Sequence, residues 1–213
     1  MDREAWNQRY ADTELVWSAE ANRFLVQEVA DLAPGRALDL GAGEGRNAIW
    51  LAERGWRVTA VDFSGIGLQK ARRLAEARGV EVNWTEADLR SYSPARGAFD
   101  LVVLVYIHLP GEERRAVVRR AADAVAAGGT LLVIGHDRSN IEEGYGGPQD
   151  PAILFSPDDI TSDLAGIEEL RVVRADRVMR PVMTDDGERN AIDALVRAER
   201  RATYDDHAPR TAA

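Results

Sequence analysis

The chain contains no cysteine. That single absence removes disulfides, thiolate metal sites, cysteine nucleophiles and thiol redox chemistry. Histidine is sparse as well, with three in 213 residues, and none is set among carboxylates in a metal-ligand pattern, so no metal is expected. Positive charge is in deficit: 27 Lys and Arg stand against 36 Asp and Glu, a net of −9. A nucleic-acid groove needs a basic field, so the balance argues against DNA or large RNA as partner. Long apolar runs are missing. The longest, Phe99 to Leu109, is broken by Asp100 and His108 and is too short to cross a bilayer. The opening MDREAWNQRY is charged and lacks the apolar centre of a signal peptide. These absences lead to the expectation of a soluble, cytoplasmic chain with neither membrane nor nucleic acid as partner.

What is present has the balance of a globular protein, 45% apolar and 30% charged. The length suits one domain over 1–203, with a flexible tail at 204–213. Residues 1–34 form an N-terminal helical cap in which Ser18 is a candidate N-cap, and Ala21, Leu25, Val29 and Leu32 recur at helical spacing. Strands are expected at 37–40, 57–64, 80–88, 99–107 and 130–136, and helices at about 45–54, 65–78 and 111–127. Alternation of this kind means right-handed βαβ units and a mostly parallel sheet covered on both faces. The stretch 138–157, RSNIEEGYGGPQDPAILFSP, is a long loop and a candidate lid. Residues 168–181 and 190–200 flank an Asp-Gly turn and read as an antiparallel hairpin, although 190–200 also has helix propensity.

The stretch ALDLGAGEGR at 37–46 places glycines directly after a strand. Ligands of open parallel sheets bind beyond the carboxyl ends of the strands, where glycine lets a ligand lie against the peptide plane. A dinucleotide turn would carry its third glycine where Arg46 stands, which speaks against a nicotinamide cofactor. Asp62, at the end of the second strand, is placed to accept hydrogen bonds from ribose hydroxyls. Asp88, at the end of the third, is either an adenine contact or a loop cap.

The series DLGAGEGRNAIWLAERG, VTAVDFS, EADL and FDLVVLVYIHLP resembles the motifs of class I S-adenosylmethionine-dependent methyltransferases, within them the small single-domain group that includes tellurite-resistance enzymes. The resemblance covers roughly residues 36–136. It implies an α/β, Rossmann-like seven-stranded sheet of order 3-2-1-4-5-7-6 with strand 7 antiparallel and helices on both faces. It implies S-adenosyl-L-methionine as cofactor, with Asp39, Gly41, Ala42 and Gly43 around its methionine part, Asp62 on the ribose, Phe63 near the adenine, and Asp88 with Leu89 on the adenine edge. Val105 and Tyr106 would line the side where the methyl group is presented.

Methyl transfer from a sulfonium is an in-line displacement that needs alignment, water exclusion and a base where the acceptor carries a proton. His108, His136 and Tyr106 are the catalytic candidates. The two histidines sit at the functional rim of the sheet, and the alternative for each is a structural hydrogen bond. Arg46 and Asn47 open the first βα helix as candidate contacts to the cofactor carboxylate or the substrate. Trp6, Tyr10 and Trp17 either close the cofactor pocket, stack on a substrate or anchor the N-terminal helix. Tyr145 and Phe155 are candidate substrate walls, and Arg138 and Arg180 candidate anion contacts. His207 belongs to the tail. The expected activity is methylation of a small-molecule O, N, S or chalcogen atom. An NAD(P)-dependent oxidoreductase and a non-catalytic cofactor-binding regulator are the alternatives.

Overall fold

The computed structural model describes residues 3–13, 15–16, 19–185 and 187–202. In chain order these form α1 (Arg3–Ala11), α2 (Arg23–Val29), β1 (Arg36–Leu40), α3 (Arg46–Glu53), β2 (Arg57–Asp62), α4 (Gly65–Ala77) and β3 (Asn83–Glu86). There follow β4 (Phe99–Val105), α5 (Gly111–Ala124), β5 (Val125–His136), α6 (Asn140–Glu143), α7 (Pro157–Leu164), β6 (Leu170–Thr184) and β7 (Gly187–Arg200). The strands make one sheet of order β3-β2-β1-β4-β5-β7-β6. β1 to β5 are mutually parallel, and β7 is antiparallel to both β5 and β6. The order and the antiparallel seventh strand are those expected.

Period-two alternation divides the central strands between two cores. Leu38, Leu40, Val102 and Leu104 face α5 and α7, meeting Val117, Val118 and Ile160. Ala37, Leu101, Val103 and Val105 face the other way with Leu25 of α2, Leu51 of α3 and Val58. The parallel register brings the carboxyl ends of β1, β2, β4 and β5 to one rim. The β6–β7 hairpin overhangs that rim. β7 pairs with β5 only as far as His136↔Asp193, whereas its pairing with β6 continues to Thr184↔Gly187.

The structure corrects several local expectations. The N-cap of α2 is Asn22, whose side chain accepts from the Phe24 and Leu25 amides; Ser18 lies outside the described residues. α5 stops at Ala124 rather than 127, because Val125 leaves the helix to pair with Phe99 and extends β5 backward. Gly128 then takes a left-handed turn at φ +76. β3 is shorter than 80–88, and the segment 138–157 contains a helical turn, α6. Residues 190–200 are strand. A central strand buried on both faces suits Ala191 to Val196, and pairing on both sides outweighs their helix propensity.

Candidate active site

Gly41, Gly43 and Gly45 all have positive φ, at +83, +55 and +82. Their surroundings separate their roles. A Cβ on Gly45 would stand 2.6 Å from the Trp84 ring and 2.8 Å from Ala71, so this glycine allows α3, α4 and β3 to pack closely. The close-packing role of a third glycine thus falls on Gly45, one residue before Arg46. Gly41 and Gly43 face the rim instead. Beside them lie Ile107, whose Cδ1 is 1.9 Å from the Gly41 Cβ position, and the Tyr10 hydroxyl, 2.6 Å from that of Gly43.

Two buried acids flank this turn. Asp62 Oδ2 accepts from the Gly43 amide and Oδ1 from the Ser64 amide, each at 2.8 Å. Burial pushes its carboxyl upward, opposed by those amides and that of Phe63. Each carboxylate oxygen keeps a second lone pair for an incoming hydroxyl. Asp39 is 1% exposed, and its Oδ2 has no hydrogen-bond partner among the described residues. Burial first, and then the nearby Asp62 charge, raise its carboxyl to about 7 against the pull of Arg46. An unsatisfied buried carboxylate oxygen beside bare glycine backbone fits a cationic ligand.

α1 lies across the same crevice. Trp6 and Tyr10 stack at 5.3 Å between ring centroids, Tyr10 is buried, and the Ser64 hydroxyl donates to Asn7 Oδ1 at 2.6 Å. Arg46, at the start of α3, lies within electrostatic range of Tyr106, Asp39, Arg180 and Tyr10.

On the side of β4 and β5, three side chains converge on Asp193 of β7, which is completely buried. Its Oδ2 accepts from the Tyr106 hydroxyl at 2.7 Å and from Arg180 Nε at 2.8 Å. Its Oδ1 lies 3.1 Å from His136 Nδ1, at an angle short of a good hydrogen bond. Burial would raise this carboxyl, but the His136, Arg180 and Tyr106 contacts together hold it below the usual range. Tyr106 is left-handed at φ 60, a strained conformation for an aromatic residue. Burial and the Asp193 charge push its hydroxyl well up, which makes it a donor at neutral pH. His108 Nε2 accepts the His136 main-chain N–H at 3.1 Å, and burial lowers its imidazole to about 3.

With this arrangement in view, comparison with known proteins is decisive. Residues 37–129 match the family model described as a methyltransferase domain. The matched stretch, 93 of 213 residues, makes the chain similar to class I S-adenosylmethionine-dependent methyltransferases. Over 114 residues the chain is 37% identical to demethylmenaquinone methyltransferase of Thermus thermophilus, an alignment covering 53% of this chain and 52% of that one. The chain therefore spans about half the length of that relative. Among solved structures, one described as "Conversion of a Disulfide Bond into a Thioacetal Group during Echinomycin Biosynthesis" superposes with a TM-score of 0.75 at 21% identity, covering 95% of this chain and 93% of that one. The 1,6-didemethyltoxoflavin-N1-methyltransferase of Burkholderia thailandensis, with 1,6-didemethyltoxoflavin and S-adenosylhomocysteine bound, superposes with a TM-score of 0.69 at 20% identity, covering 93% and 87%. At such identities the structural likeness speaks to the fold alone.

The structure brings together Asp39, Gly41, Ala42, Gly43, Arg46, Asp62 and Phe63 on one side, and Val105, Tyr106, His108, His136 and Arg180 on the other. Asn47 is buried, and its Oδ1 accepts the Asn22 amide at 2.9 Å, which fixes the start of α2. Asp88 follows β3 with its carboxylate paired to Arg90 at 2.6 Å, and Leu89 packs near Gly41. Arg138 is engaged by Asp159 at 3.1 Å, tying the loop to α7. Tyr145 is exposed, whereas Phe155 is buried in the core against Gly135 and is not a substrate wall. Trp17 and His207 lie outside the described residues. The reading of the chain missed Asp193. Its signal was present, a lone acid inside the apolar run AIDALV. Among the described residues no helix is long and apolar enough to cross a membrane.

Proposed function

We propose that the protein transfers a methyl group from S-adenosylmethionine to a small-molecule acceptor. The observation that carries this reading is the pair of rim-facing glycines set between Asp62 and the unsatisfied Asp39. Asp39, Gly41, Ala42 and Gly43 would hold the methionine part, Asp62 the ribose, Phe63 the adenine face, and Asp88 with Leu89 its edge. For Asp88 this requires sharing its carboxylate with Arg90. Arg46, within electrostatic range of Asp39, would meet the cofactor carboxylate. When bound, the cofactor supplies an electrophilic methyl group whose leaving sulfur departs neutral, so the protein need not protonate it.

What remains for the chain is alignment and dryness. Tyr10 over Gly43 and the β6–β7 overhang enclose the rim, and α1 and the 138–157 loop are the candidate covers. A small acceptor is supported by the names of similar proteins, demethylmenaquinone and toxoflavin methyltransferases, and by the net charge of −9, which disfavours a nucleic-acid surface. Calorimetry with S-adenosylhomocysteine, followed by an acceptor screen that monitors cofactor turnover, tests the reading. Stabilisation by NAD, with no binding of S-adenosylhomocysteine, overturns it.

A further inference from the structure

We propose that the acceptor carries an ionisable hydroxyl, that His136 takes its proton through Nε2, and that Asp193 and Arg180 position the base and the resulting oxyanion. This rests on the methyltransferase reading and adds a substrate class and a proton path to it.

The argument begins at Asp193. A fully buried carboxylate needs donors on both oxygens. Tyr106 and Arg180 supply Oδ2, and the polar atom beside Oδ1 is His136 Nδ1, 3.1 Å away and short of hydrogen-bond alignment, so a small turn of the ring serves that oxygen. An imidazole whose Nδ1 faces a carboxylate carries its proton there, which leaves the Nε2 lone pair outward and basic. His108 cannot compete for the role, because its Nε2 already accepts the His136 amide.

The Nε2 side of the ring is covered by the glycine-rich loop and not by core. A Cβ at Gly147 would stand 2.9 Å from His136 Nε2, so main chain bared of a side chain rests on the base. An acceptor therefore reaches Nε2 when Gly144–Pro148 moves aside. The groups facing His136 from the neighbouring elements are Asp193 of β7, Arg180 of β6, and Tyr106 and His108 after β4, with Arg46 of α3 beyond Tyr106. Asp137 is turned to Ser139 and Arg177. The Arg180 guanidinium beside Asp193 suits an anionic oxygen better than an ammonium acceptor. A hydroxyl near the tyrosine range, with pKa about 10, is un-ionised at neutral pH and needs such a base, more so than a thiol near 8.5. In the step itself the O–H bond breaks, the proton passes to Nε2, and the electron pair stays on oxygen as the nucleophile.

Two measurements test the proposal. Long-range 15N NMR of the ligand-free protein reads the His136 tautomer: a proton on Nδ1 that is lost or moved in Asp193→Asn is expected, and a proton on Nε2 in the wild type overturns it. The second measurement uses S-adenosylmethionine with a panel of phenols, naphthols and hydroxyquinolines graded in acidity, beside matched anilines and thiophenols. Hydroxyl compounds should be the ones methylated. His136→Asn should slow the least acidic by roughly 100-fold or more and the most acidic far less, since these ionise unaided. An equal loss across the series, or methylation confined to amines or thiols, or no methylation of any hydroxyl, overturns it. Calorimetry with S-adenosylhomocysteine separates the levels: unchanged binding by His136→Asn is expected, and a wild type that binds none defeats the underlying assignment.

Discussion

Asp62 and Asp39 show how burial assigns different work to two carboxylates that flank the same glycine turn. Asp62 is held by main-chain amides and remains a hydrogen-bond acceptor. Removing it in Asp62→Ala deletes charge-assisted bonds worth roughly 1.5–3 kcal/mol each, so affinity for S-adenosylhomocysteine should fall at least 10-fold by calorimetry. Asp39, raised to about 7, behaves oppositely to an ordinary paired acid. Between its unfolded pKa and about 7 the folded state binds the extra proton, so its contribution to stability declines as pH rises through that window. A cationic ligand favours the charged form. Binding of S-adenosylmethionine should therefore release a proton below pH about 7, and affinity should rise with pH up to that point and then level off. Calorimetry in buffers of differing ionisation enthalpy checks this, and Asp39→Asn should abolish the proton release. Asp62 was legible from its place at a strand end, and Asp39 through the family resemblance. Asp193 was not, because its importance comes from Tyr106, Arg180 and His136, which the chain brings to it from distant positions.

Elements decide access. Asn140 binds the loop from both sides, accepting the Ile192 amide at 2.7 Å and donating to the Gly146 carbonyl at 2.8 Å. Gly147, at φ +75, lies on the far side of that anchor against His136. Gly147→Ala adds a side chain to a left-handed residue, at about 1 kcal/mol, and drives it into the imidazole. Turnover should fall while affinity for S-adenosylhomocysteine stays within twofold, and the two assays together locate the damage at the acceptor side. The loop's length and its Gly and Pro content made it a candidate lid; that it rests on His136 came only from the fold. The terminal hairpin teaches the same lesson. Residues 190–200 have the composition of a helix as much as a strand, and neighbours on both sides settle the matter.

At the scale of the molecule, α7 is clamped to α5 by an ion pair in the interior. Arg114 Nε meets Asp163 Oδ2 at 2.7 Å, and Asp163 is fully buried, with Arg115 at 3.2 Å on its other oxygen. Removing Arg114 leaves the buried Asp163 with only the half-exposed Arg115 on one of its oxygens. Arg114→Ala should destabilise the fold by about 3 kcal/mol, which lowers Tm by roughly 6–12 °C for a chain of this size, with cofactor affinity unchanged. Thermal unfolding followed by circular dichroism measures it.

The sequence by itself determined the layered, mostly parallel sheet and its glycine turn, because these follow from local patterns, apolar periodicity and glycines after a strand, while the strand order was implied by the family resemblance. Tertiary structure alone decided where α5 gives way to β5, that Gly45 is the packing glycine, and that Asp193 gathers Tyr106, Arg180 and His136. Each of those outcomes depends on atoms far apart in the chain meeting in a buried place, where an unpaired charge or an added methyl group is costly.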